Sequence, residues 1–373
     1  MKTGKSKYVI VFIFFISFYF NSFAQLSVSF STLNGYNSNP FNVPNGEGSY
    51  INSFNLGLEY YYQKYGIGYY NNYTLFQSLT ERNYYWHQLG GWYNTENTLW
   101  GIYAEQRINK NDYNYFDYTY FNTYLNYKGR LNSVYYLFNS SISYTNYTEL
   151  SELNNLLVTF GLKASRSFET KTTLIGGIIF NNKHYSNSDI LTLNTRGRRM
   201  GGFYQSSATS LSQINIYGRI SQSILPTLGI AAQYTYKDIL SGTGKDLSTL
   251  NLAYNDESQI FDDPVSNEGS SFNFQITQVL PYEMKLQGNY FYNVKNYPAQ
   301  GIYLDEENFD ETILRKDTQE ILNFGLSKSF DLSWTQVSRF TLMLQYNKIL
   351  NESNSYWYDY SNDSVTLNLK LDF

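Results

Sequence analysis

The sequence predicts an all-β fold, a transmembrane antiparallel up-and-down barrel of about sixteen strands, with about fourteen or eighteen as alternatives. Three observations predict this fold. The closing segment alternates strictly between apolar and polar residues, the composition is rich in aromatic residues and poor in charge, and the connections between alternating segments are short and long in turn. Together they favour a barrel over a soluble sheet, a helical membrane protein or a disordered chain.

The closing segment, residues 364–373, has the clearest alternation in the chain. Val365, Leu367, Leu369, Leu371 and Phe373 form one apolar row, and the residues between them are polar. A period of two places the two rows on opposite faces of a β-strand. About ten residues is also the length that a tilted strand needs to cross a bilayer. The alternative interpretation of this segment is a strand of an ordinary soluble sheet.

The composition combines many aromatic residues with little charge. The chain has 40 Tyr, 26 Phe and 5 Trp, so that 19% of residues are aromatic and 16% are charged. The mean hydropathy is −0.43, which argues against a helical membrane protein, and so many aromatic side chains argue against disorder. Half-polar strands with aromatic girdles at both membrane interfaces account for both properties. The net charge of −4 leaves no basic excess for binding nucleic acid.

The N-terminus predicts a signal peptide. Lysines precede an apolar run at 8–20, and small residues precede Gln25, which is the pattern of a cleaved secretory signal. We therefore expect a signal peptide at 1–24 and a barrel at 25–373. Since the chain has no Cys, disulfides and a lipid-anchored Cys are excluded, and burial and hydrogen bonds must stabilise the fold.

About sixteen alternating segments follow in order. They are 26–33, 50–62, 65–76, 83–93, 97–107, 117–127, 131–145, 153–167, 171–183, 209–222, 226–238, 270–280, 282–293, 318–329, 335–348 and 363–373. Every second connection is short: 63–64, 94–96, 128–130, 169–170, 225–226, and the turns near Pro281 and Asp331. Short periplasmic turns alternating with long extracellular loops are typical of an outer-membrane barrel, and a soluble sandwich has no reason to keep that alternation.

The apolar rows are expected to face lipid, because a charge on that face at mid-membrane costs about 2–4 kcal/mol. The polar rows then line a lumen, and their ionisable residues lean basic. The predicted lining residues are Arg107, Lys163, Arg219, Lys237, Lys285, Arg339 and Lys370 against Glu59, Glu105, Glu283 and Asp372. One interpretation is a lining that favours anions. The other is that these groups pair across strands and fill the barrel, since unpaired charges in a narrow lumen are costly.

The sequence predicts no catalytic residues, no metal site and no cofactor. The two histidines, His87 and His184, have no diagnostic spacing to a nucleophile or an acid. Acidic runs at Asp262 and Asp263 and at 305–311 are interpreted as solvated loops, with calcium or a partner as alternatives. The basic run Arg196, Gly197, Arg198 and Arg199 is interpreted as an exposed loop. Its alternatives are contact with lipopolysaccharide phosphates or a constriction of the mouth.

Three segments carry a resemblance to bacterial outer-membrane proteins. The closing strand that ends on Phe373 resembles the last strand of their barrels, in which a terminal Phe is the signal that insertion machinery recognises. Residues 35–41 and 354–361 resemble segments of porin-like and surface-export barrels, and the Tyr- and Asn-rich composition resembles that of Bacteroidetes. The resemblance implies a Gram-negative outer membrane, and contact with its lipid, its lipopolysaccharide and the insertion machinery.

These expectations lead to a function hypothesis and two alternatives. The hypothesis is a porin-like channel for passive diffusion of small polar solutes through a polar lumen. One alternative is an export or assembly barrel for a surface polysaccharide or lipoprotein. The other is a closed barrel that binds a partner through its extracellular loops.

Overall fold

The computed structural model describes residues 26–186, 210–242, 263–332 and 337–373. The predicted signal peptide at 1–24, the arginine run at 196–199 and Asp262 lie outside these residues. Within them, sixteen antiparallel strands form one closed barrel, in which each strand pairs with its neighbours along the chain and the first pairs with the last. The predicted fold class and strand number are confirmed.

The barrel strands overlap the predicted segments one for one. Their bounds are β1 Leu26–Asn37, β2 Ser49–Tyr62, β3 Tyr65–Phe76, β4 Tyr84–Asn94, β5 Thr98–Asn109, β6 Tyr118–Leu131, β7 Val134–Tyr147, β8 Asn155–Ser167, β9 Thr172–Tyr185, β10 Ser210–Leu225, β11 Leu228–Gly242, β12 Glu268–Val279, β13 Lys285–Asn296, β16 Lys316–Asp331, β17 Arg339–Ser353 and β18 Tyr360–Asp372. Between β13 and β16 lies a small hairpin that the alternation did not predict, formed by β14 Ile302–Tyr303 and β15 Phe309–Asp310.

The connections divide between the two ends of the barrel. We call one end of the barrel the short-turn end. It holds the first and last described residues of the chain and the tight turns, such as 63–64, 132–133 and 226–227. At the other, the long-loop end, lie the longer connections, among them 38–48 and 297–315. The turn predicted at 128–130 was wrong: β6 continues through Leu131, and the chain reverses at 132–133.

The two faces of the sheet follow from the register, because residues paired across antiparallel strands lie on the same face. Leu344 pairs with Leu367, and Gln345 pairs with Thr366. The side chains of Leu344 and Leu367 are exposed, and every other barrel strand also carries exposed large apolar side chains. The polar row lines the inside, where Gln345 and Thr366 share a cavity with residues of β13 and β16. The apolar rows therefore face outward.

Glu283 does not lie on a strand, contrary to the prediction. Tyr282 and Glu283 have positive φ angles of 59° and 62°, and both belong to the short 3-10 turn that precedes β13. Few residues other than glycine adopt such angles except in turns. Strand β13 begins at Lys285, and Glu283 therefore lies in a turn at the short-turn end.

A packed apolar cluster lies at the long-loop end. Tyr115 and Phe116, from the connection between β5 and β6, pack against Leu150 and Leu153 from the connection between β7 and β8. The barrel wall is a single sheet whose apolar face is turned outward, so these connections supply the buried apolar contacts instead. No helix in the described ranges is long and apolar enough to cross a membrane.

Candidate functional site: the barrel lumen

One wall of the lumen, formed by β8 to β13, carries most of the inward cations, and we call it the cationic wall. The register aligns Lys163 with Gly177, Arg219 with Ile175 and Gln233, and Lys237 with Asn215. All are on the polar, inward row of their strands. Lys285 lies on the same row at the start of β13, where it pairs with Ser327. Four predicted lining residues are thus brought to one side of the barrel.

The cations of this wall differ in their partners. The guanidinium of Arg219 donates to Gln275 Oε1 at 2.8 Å and to Ser221 Oγ at 3.2 Å, and both acceptors are neutral. Neither Lys163 nor Lys285 has an ion pair with a described residue. The charges of these three residues are therefore not neutralised by a carboxylate within the described part of the chain.

Two predicted lining cations at the short-turn end, Arg339 and Lys370, are paired instead. Arg339 Nε lies 3.1 Å from Asp331 Oδ1, and both side chains are largely exposed. Lys370 Nζ lies 2.8 Å from Asp372 Oδ1. Exposed ion pairs contribute little stability, but each pair brings a cation and an anion to the same rim and removes its net charge there.

The facing wall, formed by β2 to β6, carries aromatic side chains and the acidic lining residues, and we call it the aromatic wall. Glu59 accepts hydrogen bonds from the hydroxyls of Tyr61 and Tyr70. Glu105 Oε1 accepts from the Tyr118 hydroxyl at 3.0 Å. The two carboxylates therefore hold phenol rings against the wall rather than pairing with cations.

Arg107 is the one predicted cation placed on the aromatic wall. Its guanidinium carbon lies 4.1 Å from the centre of the Tyr84 ring, a distance at which cation–π attraction operates. Tyr84 is the first residue of β4, so this contact lies at the long-loop end. Arg107 therefore packs against the wall and is separated from the cationic wall by its strand position.

A segment of the β11–β12 connection folds inward over the cationic wall. Asp263 Oδ2 lies 2.7 Å from Lys183 Nζ and 2.6 Å from the Tyr185 hydroxyl. The Gln213 side-chain amide donates to the main-chain oxygens of Val265 at 3.1 Å and of Asn267 at 2.7 Å. Lys183 and Gln213 are on inward rows, so residues 263–267 narrow the lumen from the long-loop end.

A second connection, 297–315, is anchored by a buried ion pair. Two hydrogen bonds join the Arg315 guanidinium to the Asp317 carboxylate, and the two side chains are 1% and 0% exposed. The Arg315 guanidinium also donates to Gln300 Oε1 at 3.0 Å and lies over the rings of Tyr297 and Tyr358. Since a buried cation needs such partners, this pair fixes the connection at the long-loop ends of β13, β16 and β17.

In the acidic run at 305–311, Asp305 uses its carboxylate inside its own turn, whereas Glu306 accepts a hydrogen bond from the Tyr356 hydroxyl at 2.9 Å. Asp305 accepts hydrogen bonds from the Asn308 side chain at 2.6 Å and from the main-chain N–H groups of Glu307 and Asn308. The Asn308 amide and those N–H groups hold the pKa of Asp305 below its ordinary value. No group of three or more metal-ligating side chains is present in the described ranges.

Neither histidine faces the lumen. His87 pairs with Asn71 and Gln106 on outward rows, and its Nε2 lies 3.1 Å from Gln106 Oε1. His184 pairs with Leu156 on an outward row of β8. Phe373, the predicted insertion signal, is half-exposed, and its main-chain N–H donates to Val28 O at 2.9 Å.

Two solved structures share the fold of this barrel. Over 94% of this chain and 98% of the other, the barrel matches OccAB3 of Acinetobacter baumannii with a TM-score of 0.53 and 7% identity. The outer-membrane protein OpdK of Pseudomonas aeruginosa matches with a TM-score of 0.51 and 8% identity, over 94% of this chain and 100% of the other. The chain has the fold of these barrels. No family model matches the chain, and no curated protein sequence does.

Sequence reasoning missed four inward cations and the inward aromatic residues of β2 to β6. Two of the cations, Lys128 and Arg130, lie on the inward row of β6 in the segment predicted as a turn. Lys183 and Lys295 lie on the inward rows of β9 and β13, and each falls at or just beyond the end of a predicted segment. Continuing the period of two to the true strand ends would have found them. The inward aromatic residues were hidden because Tyr and Trp had been assigned to the girdles outside the barrel.

Proposed function

We propose that the protein is a channel in a Gram-negative outer membrane, through which small polar solutes diffuse passively. The observation that carries this proposal is the division of the sheet into an exposed apolar outer face and a polar inner face. An apolar band that encircles a barrel is stable only in lipid, and a polar lumen admits water and solutes. OpdK, a solved barrel of the same fold, is an outer-membrane protein, which agrees with this interpretation.

The membrane environment is part of the proposal. Outer-membrane lipid and lipopolysaccharide surround the outer face, with the long-loop end outside the cell and the short-turn end in the periplasm. The predicted signal peptide directs export, and the insertion machinery recognises the closing strand with Phe373. Cell fractionation is expected to recover the chain in the outer membrane, with unboiled protein migrating anomalously in detergent gels. Recovery as a soluble periplasmic protein would contradict the proposal.

Conductance in planar lipid bilayers tests the channel itself. Purified protein is expected to produce stepwise increases in current, each corresponding to the insertion of one barrel or one oligomer. A closed barrel that binds a partner through its loops is the competing proposal, and the inward segments 263–267 and 297–315 favour it. Folded protein that inserts into the bilayer without any current step would support the closed barrel and reject the channel.

A further inference from the structure

We infer that the aromatic wall is a binding path for neutral oligosaccharides, an inference that rests on the proposed channel function and names a solute class for it. The inward rows of β2 to β6 carry aromatic residues along their length. By register level, from the long-loop end to the short-turn end, these are Tyr84, then Trp86 and Tyr118, then Tyr70 and Tyr120, then Tyr103, and last Tyr61, Trp92 and Tyr124.

Glycines on adjacent strands let these rings lie against the wall. A Cβ at Gly66 would stand 2.2 Å from Trp92 Cε2, and one at Gly101 would stand 2.6 Å from Tyr124 Cζ. In both cases several ring atoms lie at similar distances from that position, so the ring covers the glycine. A ring that lies flat on the wall presents its other face to the lumen, and Trp92 and Tyr124 are only half-buried.

Neighbouring rings form two groups in mutual contact. The ring centres of Tyr61 and Trp92 are 5.6 Å apart, those of Tyr103 and Tyr120 are 5.8 Å apart, and those of Tyr103 and Tyr124 are 6.3 Å apart. These are the separations of rings in mutual contact. Within each group, a solute that binds one ring face therefore meets the next before it leaves the first.

The polar groups on this wall select the kind of solute. Pyranose rings present C–H groups that pack on aromatic faces and hydroxyl groups that donate to carboxylates. Glu59 and Glu105 lie among the rings and each already accepts phenol hydroxyls. Carboxylates accept several hydrogen bonds at once, so sugar hydroxyls find acceptors there. Beside the rings these carboxylates repel anions, while the cations of the wall lie at its ends: Arg107 packs on Tyr84 toward the long-loop end, and Lys128 and Arg130 lie beyond Tyr124 toward the short-turn end. Neutral saccharides are therefore the best match to the middle of the aromatic wall, and anionic solutes are assigned to the cationic wall.

The test uses blockage of the ionic current of the full-length protein by maltohexaose added to one side of a planar bilayer. The current of wild-type channels is expected to fall with sugar concentration to a plateau, as for saturable binding. Polyethylene glycol of similar size is the control for simple volume exclusion, and it is expected to give no plateau. The triple variant Trp92→Leu, Tyr103→Leu and Tyr124→Leu is expected to need at least about tenfold more sugar for half-blockage.

Tyr217→Leu is the matched control variant, since its ring also covers a glycine, Gly177, but on the cationic wall. It is expected to retain the wild-type sugar dependence. Equal half-blocking concentrations in the wild type and the triple variant, or no saturable blockage of the wild type, would overturn the inference. Current without sugar blockage rejects only the saccharide path, whereas absence of any current rejects the channel.

Should the triple variant fail to fold, the wild type and a single conservative variant still test the inference. Trp fluorescence of the reconstituted protein is expected to change saturably with maltohexaose, and the single variant Trp92→Phe is expected to lose most of that change. A fluorescence signal that is unaffected by the sugar would contradict binding at the aromatic wall.

Discussion

At the scale of single residues, the register of the closing strand decides which side chains meet lipid. Leu367 pairs with Leu344 and Asn34 on the outward row, while Asn368 pairs with Met343 and Leu33 on the inward row. The two are neighbours in sequence and have opposite surroundings, so that a slip of one residue would exchange them.

Arginine substitution at these two neighbours tests the assignment of faces. Leu367→Arg places a charge on the outward row and is expected to reduce the free energy of unfolding by about 2–4 kcal/mol. Asn368→Arg, the matched control, places the same charge on the inward row and is expected to have a much smaller effect. Denaturant unfolding in lipid vesicles measures both. Equal losses, or a greater loss for Asn368→Arg, would show that the faces are reversed.

At the scale of strands and connections, the period of two predicted every barrel strand because alternation is a local property of the chain. Turns were harder. Gly129, with its charged neighbours, resembles a turn, yet a Cβ at Gly129 would stand 2.2 Å from the Tyr136 hydroxyl oxygen. The glycine makes room for that cross-strand contact, and the reversal occurs at Asn132, where φ is +53°, an angle that Asn tolerates.

The inward connections could not be predicted for a different reason. Lys183 and Asp263 are separated by 80 residues, and Gln213 contacts residues more than 50 positions away. Contacts at such separations leave no periodic pattern in the sequence. The small hairpin of β14 and β15 was missed for a related reason, since strands of two residues are too short to show alternation.

The connection 297–315 is expected to lose its position when its buried ion pair is broken. Arg315→Gln leaves the Asp317 carboxylate buried without its cation, a change that typically costs about 3–5 kcal/mol. A Glu-specific protease added to reconstituted vesicles is then expected to cut near Glu306 and Glu311 much faster than in the wild type. Lys316→Gln removes an adjacent exposed charge and is expected to leave the cleavage rate unchanged. Equal rates for both variants would contradict the anchoring role.

The segment 263–267 is expected to limit the current through the long-loop end. The double variant Asp263→Ala and Gln213→Ala removes the ion pair with Lys183 and the hydrogen bonds to three main-chain oxygens. The released segment is expected to leave the lumen, and single-channel conductance is expected to rise. Gln287→Ala shortens an inward side chain away from this segment and provides the control. A double variant with wild-type conductance would show that the segment does not restrict the path.

At the scale of the whole molecule, two charge arguments predict opposite ion selectivity. The net charge of −4 predicts a preference for cations if the overall field decides. The cationic wall predicts a preference for anions if the lining decides. Charges farther from the path than about 8–10 Å are screened at physiological salt, and rings of one charge inside a pore are known to set selectivity. The lining is therefore expected to dominate, which gives a weak preference for anions.

Removing three cations of the cationic wall tests that expectation. The triple variant Lys163→Gln, Arg219→Gln and Lys285→Gln is expected to shift the reversal potential in a salt gradient toward cation preference, because no carboxylate pairs with these residues in the described ranges. The double variant Arg339→Gln and Asp331→Asn is the control. It removes an exposed pair at the short-turn end without changing the net charge, and it is expected to keep the wild-type reversal potential. A wild-type channel that already prefers cations, or a triple variant with an unchanged potential, would exclude the cationic wall as the determinant of selectivity.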